Sequence, residues 1–312
     1  MSQTTITDYK HPGGWTDPAA ARQKAIDYCR QLEEGKVLYF DNIPYDFPDA
    51  DKEFLLSQKQ SGLRIHKNIS YRPKTDVLRG AAADDPEGAK RLHEIMRHFS
   101  QEIVKLVDRF LSPYARERQL DFASYRPNEE KGRELSYHKR NDLMHVDAFP
   151  TRPTNGGRIL RVFTNINPSV NRVWEISEPF EPLANKMAAA AGLGKYAGYA
   201  TSASRKFRRT VGPILRTVGV KNVDRSPYDH FMLHFHDWLK ENRDYQEKGP
   251  KIHIEFPPYS TWMVYTDTVP HSVLSGQFAL EQTFIVPVSA MVAPEKTPLK
   301  LLEGICGTGL AN

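Results

Sequence analysis

Cysteine is nearly missing from this chain: Cys29 and Cys306 are the only two in 312 residues, and they stand near opposite ends. A disulfide scaffold is thereby excluded, and a reducing compartment is expected. Long apolar runs are missing too. Nowhere do about 18 consecutive apolar residues occur, and the first ten residues hold no basic region followed by an apolar stretch. Neither a membrane-spanning helix nor a secretory leader is expected, which places the protein in the cytoplasm with at most peripheral membrane contact. Excess charge is absent as well: 43 Lys and Arg against 38 Asp and Glu leave +5, with a pI near 9.0. So mild a balance suits an anionic ligand or surface without demanding nucleic acid. With no helix-turn-helix or RNA-binding aromatic signature, no nucleic-acid partner is expected. Repeats and low-complexity tracts do not occur, which excludes a solenoid.

What is present is enough apolar side chain, 39% of residues with 11% aromatic, to bury a sizeable core. Residues 19–33 carry good helix formers stopped by Gly35, residues 53–60 read as a second helix, and 84–111 have apolar positions at helical period up to Pro113. Short alternating runs read as strands at 37–40, 63–71, 122–127, 143–149, 158–168 and 171–176, and again at 253–287, each broken by Gly or Pro. Between the two groups of strands, residues 180–238 are Ala-rich and basic and read as helices. The expected fold class is therefore β-rich α+β, a jelly-roll core with flanking helices and a helical insertion.

His145-x-Asp147 is the stretch with chemistry. Side chains at i and i+2 share one face of a strand, so this imidazole and this carboxylate point the same way. His271 lies in a later strand. The three together make a 2-His-1-carboxylate set, which holds non-heme Fe(II) and leaves coordination positions open. Other histidines read otherwise. His66 has no spaced partner; His234 and His236 fall in a helical run, where i and i+2 diverge, and read as amphipathic or surface residues. Asp267 reads as a turn aspartate.

Around this set, Ser124-Tyr-Arg-Pro127, Arg161-Val-Phe-Thr-Asn-Ile-Asn-Pro168 and Pro270-His-Ser-Val-Leu-Ser-Gly276 resemble the Fe(II)/2-oxoglutarate-dependent dioxygenases. More narrowly, the whole run resembles the Kdo 3-hydroxylases, which act on 3-deoxy-D-manno-oct-2-ulosonic acid (Kdo) in lipopolysaccharide. The resemblance implies a double-stranded β-helix, with 1–312 as one dioxygenase domain: 1–120 as support, 121–177 and 250–290 as the core, and 178–249 as an insertion that forms a lid. It implies Fe(II), 2-oxoglutarate and O2 as cofactor and cosubstrates, release of succinate and CO2, hydroxylation of Kdo-lipid A at C3, and a place at the inner membrane. The Arg that many such enzymes carry about ten residues past the distal His is replaced here by 279–284, where Glu281 is expected to repel the cosubstrate. Arg161 is then the first choice for the anchor, Arg158 the alternative on the opposite strand face, and Arg126 a third.

Two other readings stay open: a metal-dependent jelly-roll enzyme that does not use 2-oxoglutarate, and a carbohydrate-binding jelly roll without turnover. Arg205, Lys206, Arg208, Arg209 and Arg216 cluster in the insertion, where they suit phosphates or an anionic bilayer. Charge reversal at Arg208 and Arg209 is expected to weaken binding to anionic vesicles in a flotation assay; unchanged binding removes this role.

Overall fold

The computed structural model describes residues 2–58, 68–81, 85–201 and 225–311. His66 and the basic run from Arg205 to Arg216 lie outside them. Thirteen strands are present among the described residues: β1 (Gln3–Thr5), β2 (Tyr9–Lys10), β3 (Gly14–Trp15), β4 (Val37–Phe40), β5 (Ile69–Arg72), β6 (Val77–Arg79), β7 (Gln119–Arg126), β8 (Arg158–Asn165), β9 (Arg172–Ile176), β10 (Ile252–Phe256), β11 (Thr261–Tyr265), β12 (His271–Ser275) and β13 (Ala279–Val286). Eight form one mixed sheet in the order β1-β4-β11-β8-β13-β7-β5-β6, three form a small sheet β10-β9-β12, and β2 pairs with β3. The molecule is thus β-rich with helices, as expected. Strand β4 comes from the N-terminal part, yet it pairs with β11 inside the large sheet.

Strand parity decides which residues meet which layer. On one face of the large sheet, Leu38, Leu160, Val162, Met263, Tyr265, Leu280 and Phe284 join one apolar cluster with the long helix Pro86–Phe110. That helix starts where the sequence asks it to. Asp85 caps it by accepting the Gly88 N–H at 2.8 Å, and Pro86 fills the first position, which needs no donor. The opposite face of the sheet packs on the small sheet through Phe163, Trp174, Phe256, Trp262 and Val264.

One expected strand is different. Residues 143–149 form no ladder but a single bridge, His145 to His271. The next pairing is lost because the Val269 N–H turns back to the Tyr265 carbonyl at 2.9 Å, and the Asp147 N–H goes instead to the Thr266 carbonyl at 2.8 Å. Side chains in this stretch still alternate: Met144 and Val146 are buried against Phe231 and Phe235 of the helix Pro227–Glu241.

No helix among the described residues is long and apolar enough to cross a membrane. The inter-sheet cluster is the smallest apolar cluster among the described residues and rests on stacked rings, Phe256 and Trp262 having centroids 3.8 Å apart. Trp262→Ala is expected to cost about 3–5 kcal/mol, seen as a lower urea midpoint at unchanged slope.

Candidate metal centre

His145, Asp147 and His271 line one small cavity between the sheets, together with Arg126, Arg161, Arg172 and Trp174. His145 and His271 are 4% exposed and face each other with ring centroids 4.7 Å apart. Their backbones exchange both hydrogen bonds, at 3.1 and 2.9 Å. Each ring is then fixed by the same local device. Nδ1 of His145 meets the Leu143 carbonyl at 2.7 Å, and Nδ1 of His271 meets that of Val269 at 2.8 Å. A carbonyl only accepts, so Nδ1 carries the proton and Nε2 keeps its lone pair. Trp174 stacks on His271 at 5.1 Å and holds its ring plane.

Electrostatics keep these groups in ligating form. Burial is the main cause that pushes the His145 pKa well down, with His271 and His236 adding to it, and burial likewise lowers His271 although Asp147 opposes the shift. Both rings are neutral near pH 7. For Asp147, burial disfavours the charge, but Arg161 and then His271 and His145 outweigh it and hold the carboxyl well below the usual carboxylate range. Arg161 Nη2 stands 3.0 Å from Asp147 Oδ2, yet its alignment is too poor for a hydrogen bond, and that oxygen has no hydrogen-bond partner.

A donor set of two imidazole Nε2 atoms and a buried carboxylate fits a divalent transition ion, and Nδ1–H bonds of this kind orient such ligands. A fourth donor lies close. His236 sits 4.9 Å from His145 edge-on, its Nδ1 on the Val146 carbonyl at 2.7 Å, and the ligating atoms of His145, Asp147 and His236 fall within 4.8 Å of one another. The reading of His236 as an amphipathic or surface residue is thus corrected. Helical spacing rightly separates it from His234; what sequence period does not reveal is that the helix crosses Val146. One turn on, Lys240 is also buried. Its Nζ donates to the His138 carbonyl at 2.8 Å, and burial draws its pKa down to about 8.

The arginines divide by parity. Arg161 faces the cavity, between Asp147 and Glu281, each at 3.0 Å. Arg158, three residues before it, points to the other face, where its Nε donates to Asp267 at 2.8 Å and its guanidinium lies 4.0 Å over Tyr265. Asp267 sits in the turn that follows β11, as expected, and there it is also a buried ion-pair partner. Arg126 lines the cavity and bonds Glu281 at 3.1 Å. Glu281, expected to repel an anion, is neutralised between these two cations. Arg172 went unnoticed in the sequence: its Nη1 donates to the Gly276 carbonyl at 3.1 Å, and its Nη2 lies 3.4 Å from Glu130. Gly276 permits this approach, since a Cβ there, at φ +122°, would sit 2.8 Å from Arg172 Cγ.

Glu130 ties the cluster to the next layer. Arg126 and Arg133 each stand 3.5 Å from it, and Asn141 donates at 3.1 Å. Burial opposes its charge, but Arg126, Arg172 and Arg133 together hold its pKa at about 2 against the usual 4.5. A depressed carboxylate stabilises the fold fully above the unfolded pKa and loses that contribution as pH falls through the folded one. The stability gap between wild type and Glu130→Gln is therefore expected to be constant above about pH 5 and to close between pH 4.5 and 2, read from urea melts at fixed pH. A gap independent of pH contradicts this.

Solved structures resemble this chain over its whole length. The structure resembles that of the Kdo hydroxylase KdoO, a non-heme Fe(II) alphaketoglutarate-dependent dioxygenase, solved with alphaketoglutarate and Fe(III), at a TM-score of 0.82 and 32% identity over 100% of this chain and 98% of that one. The cobalt(II) complex of KdoO gives 0.81 and 32% over 99% and 97%. Among curated protein sequences no match is found. Residues 15–309 match the family profile of 3-deoxy-D-manno-oct-2-ulosonic acid (Kdo) hydroxylase. With the likeness running the length of the chain, it belongs to the Kdo hydroxylase family.

Proposed function

We propose that this protein is an Fe(II)/2-oxoglutarate-dependent dioxygenase that hydroxylates the Kdo sugar of lipopolysaccharide at C3, with His145, Asp147 and His271 as the iron ligands. One observation carries the reading. Among the described residues that line the cavity, Arg161 Nε, Arg172 Nε and Trp174 Nε1 are buried donors without hydrogen-bond partners, and Asp147 Oδ2 is a buried acceptor without one. Orphaned buried groups of both kinds are costly. A cation on Asp147 and an anion on the arginines satisfy them together.

His271 is preferred to His236 as the third ligand because it lines the cavity with His145 and Asp147, which His236 does not. Arg161, Arg126 and Arg172 are the groups that would meet the far carboxylate of 2-oxoglutarate, guanidinium forks matching carboxylates in plane. Arg158, committed to Asp267, is an unsuitable anchor. The cavity measures about 30 Å³, the share of one water. Entry of the cosubstrate thus requires Arg161 to leave Asp147, the contact that a metal ion would replace. When bound, Fe(II) with 2-oxoglutarate and O2 supplies the oxidising power for hydroxylation, with succinate and CO2 as the other products. The chain fixes ligand tautomers, screens the carboxylates and walls the site with Trp174 and Phe163.

In this reading the strands of 121–177 and 250–290 form a double-stranded β-helix, which β1, β4, β5 and β6 of the 1–120 support extend at both edges of the large sheet, in one domain. Segment 178–249 is a lid, and the acceptor is a Kdo-containing glycolipid met at the inner-membrane surface. A calorimetric and metal-content comparison separates the ligand sets. His271→Ala and Asp147→Ala are expected to abolish iron retention, while His236→Ala costs about 10–100-fold in affinity, as loss of a neighbour to a ligand does; the reverse order for the two histidines transfers the role. Anaerobic Fe(II) and 2-oxoglutarate should produce the weak visible band of the chelate. An active protein without that band is a metal enzyme of another kind.

A further inference from the structure

Outside this cavity a wider hollow, about 790 Å³, lies beyond Glu130 and Asn141. Asn141 lines both spaces, and Glu130 borders the outer one while bonding to Arg126 and Arg172 of the inner one. The inner space is water-sized, whereas the outer falls within the roughly 300–1,000 Å³ of small-molecule sites. Its lining decides the occupant. Of ten residues only Leu135 and Leu274 carry aliphatic side chains; Lys131, Arg133 and Arg140 are cations, set among carboxylates and Asn141. An acyl chain placed there would strip water from charged groups and return no hydrogen bonds. A polyhydroxylated acid returns many, its carboxylate to the cations and its hydroxyls to Glu130, Asp142 and Asn141.

Resting on the function proposed above, we infer that this outer hollow seats the acidic sugar of the acceptor, recognised without its acyl chains, with Lys131 and the wall residue Leu274 setting its specificity. Lipid thus takes no part in binding within the protein. Lys131 has an exposed side chain at the rim, and Leu274 belongs to β12, three residues past His271, so the seat is built on the strand that carries the distal histidine.

The test is a calorimetric titration of the iron-free full chain with a deacylated, water-soluble Kdo-containing oligosaccharide, alongside 2-oxoglutarate binding to the iron-loaded form. Wild type is expected to bind the oligosaccharide. Leu274→Trp, which fills the hollow, and Lys131→Glu, which reverses a rim charge, are each expected to weaken it by about tenfold or more, equivalent to about 1.4 kcal/mol, with 2-oxoglutarate affinity unchanged. That unchanged affinity reports that the variants are folded. No binding of the deacylated sugar by wild type, or equal binding by both variants, overturns the assignment. A wild type that binds the sugar in this pattern yet consumes no 2-oxoglutarate with Fe(II) upholds the seat and overturns the proposed activity.

Discussion

Two hydrogen bonds between the backbones of His145 and His271 carry the organisation of the site. They join segments 126 residues apart, and they do so at the only paired position of the His-x-Asp stretch. Because the join is made by main chain, the two imidazoles start from fixed Cα positions. Their Nδ1 bonds to carbonyls two residues upstream then remove the remaining rotation. Little is left for an incoming ion to organise, so its binding energy need not be spent on ordering ligands.

Around that join the charges are balanced by sharing rather than by tight pairing. Arg126, Arg161 and Arg172 meet Asp147, Glu130 and Glu281, and most members touch two others. Burying isolated ions would be prohibitive; an alternating row of cations and carboxylates, joined by Arg133 at Glu130, is tolerable because its inner members each meet at least two opposite charges. It is also adaptable. If a metal takes Asp147, Arg161 is released toward an anion, and the total charge in the pocket is conserved when a dication and a dianion enter together.

Much of this was legible in the sequence where period or parity governs. The helix Pro86–Phe110, strand Val37–Phe40 and the opposed faces of Arg158 and Arg161 all follow from local spacing and reappear in the structure. Residues 143–149 misled because alternation specifies faces without specifying a ladder, and Val269 diverts the hydrogen bonds that a ladder needs. Glu281, Arg172 and His236 were misread or missed for one shared reason. Each takes its meaning from a partner more than 40 residues away, and no one-dimensional pattern encodes the crossing of a helix over Val146 or the closeness of Gly276 to Arg172.

The parity of β8 has a consequence for how the chain reaches its native pairing. Arg158 is neutralised on the helix-covered face by Asp267, and Arg161 on the cavity face by Asp147 and Glu281. A slip of one residue in this central strand would invert every side chain. The mispaired sheet would then turn the Arg161 guanidinium into the apolar face of Met263, Tyr265 and Leu280, while leaving Asp267 without Arg158. A misregistered β8 is thus penalised by charge as well as by packing.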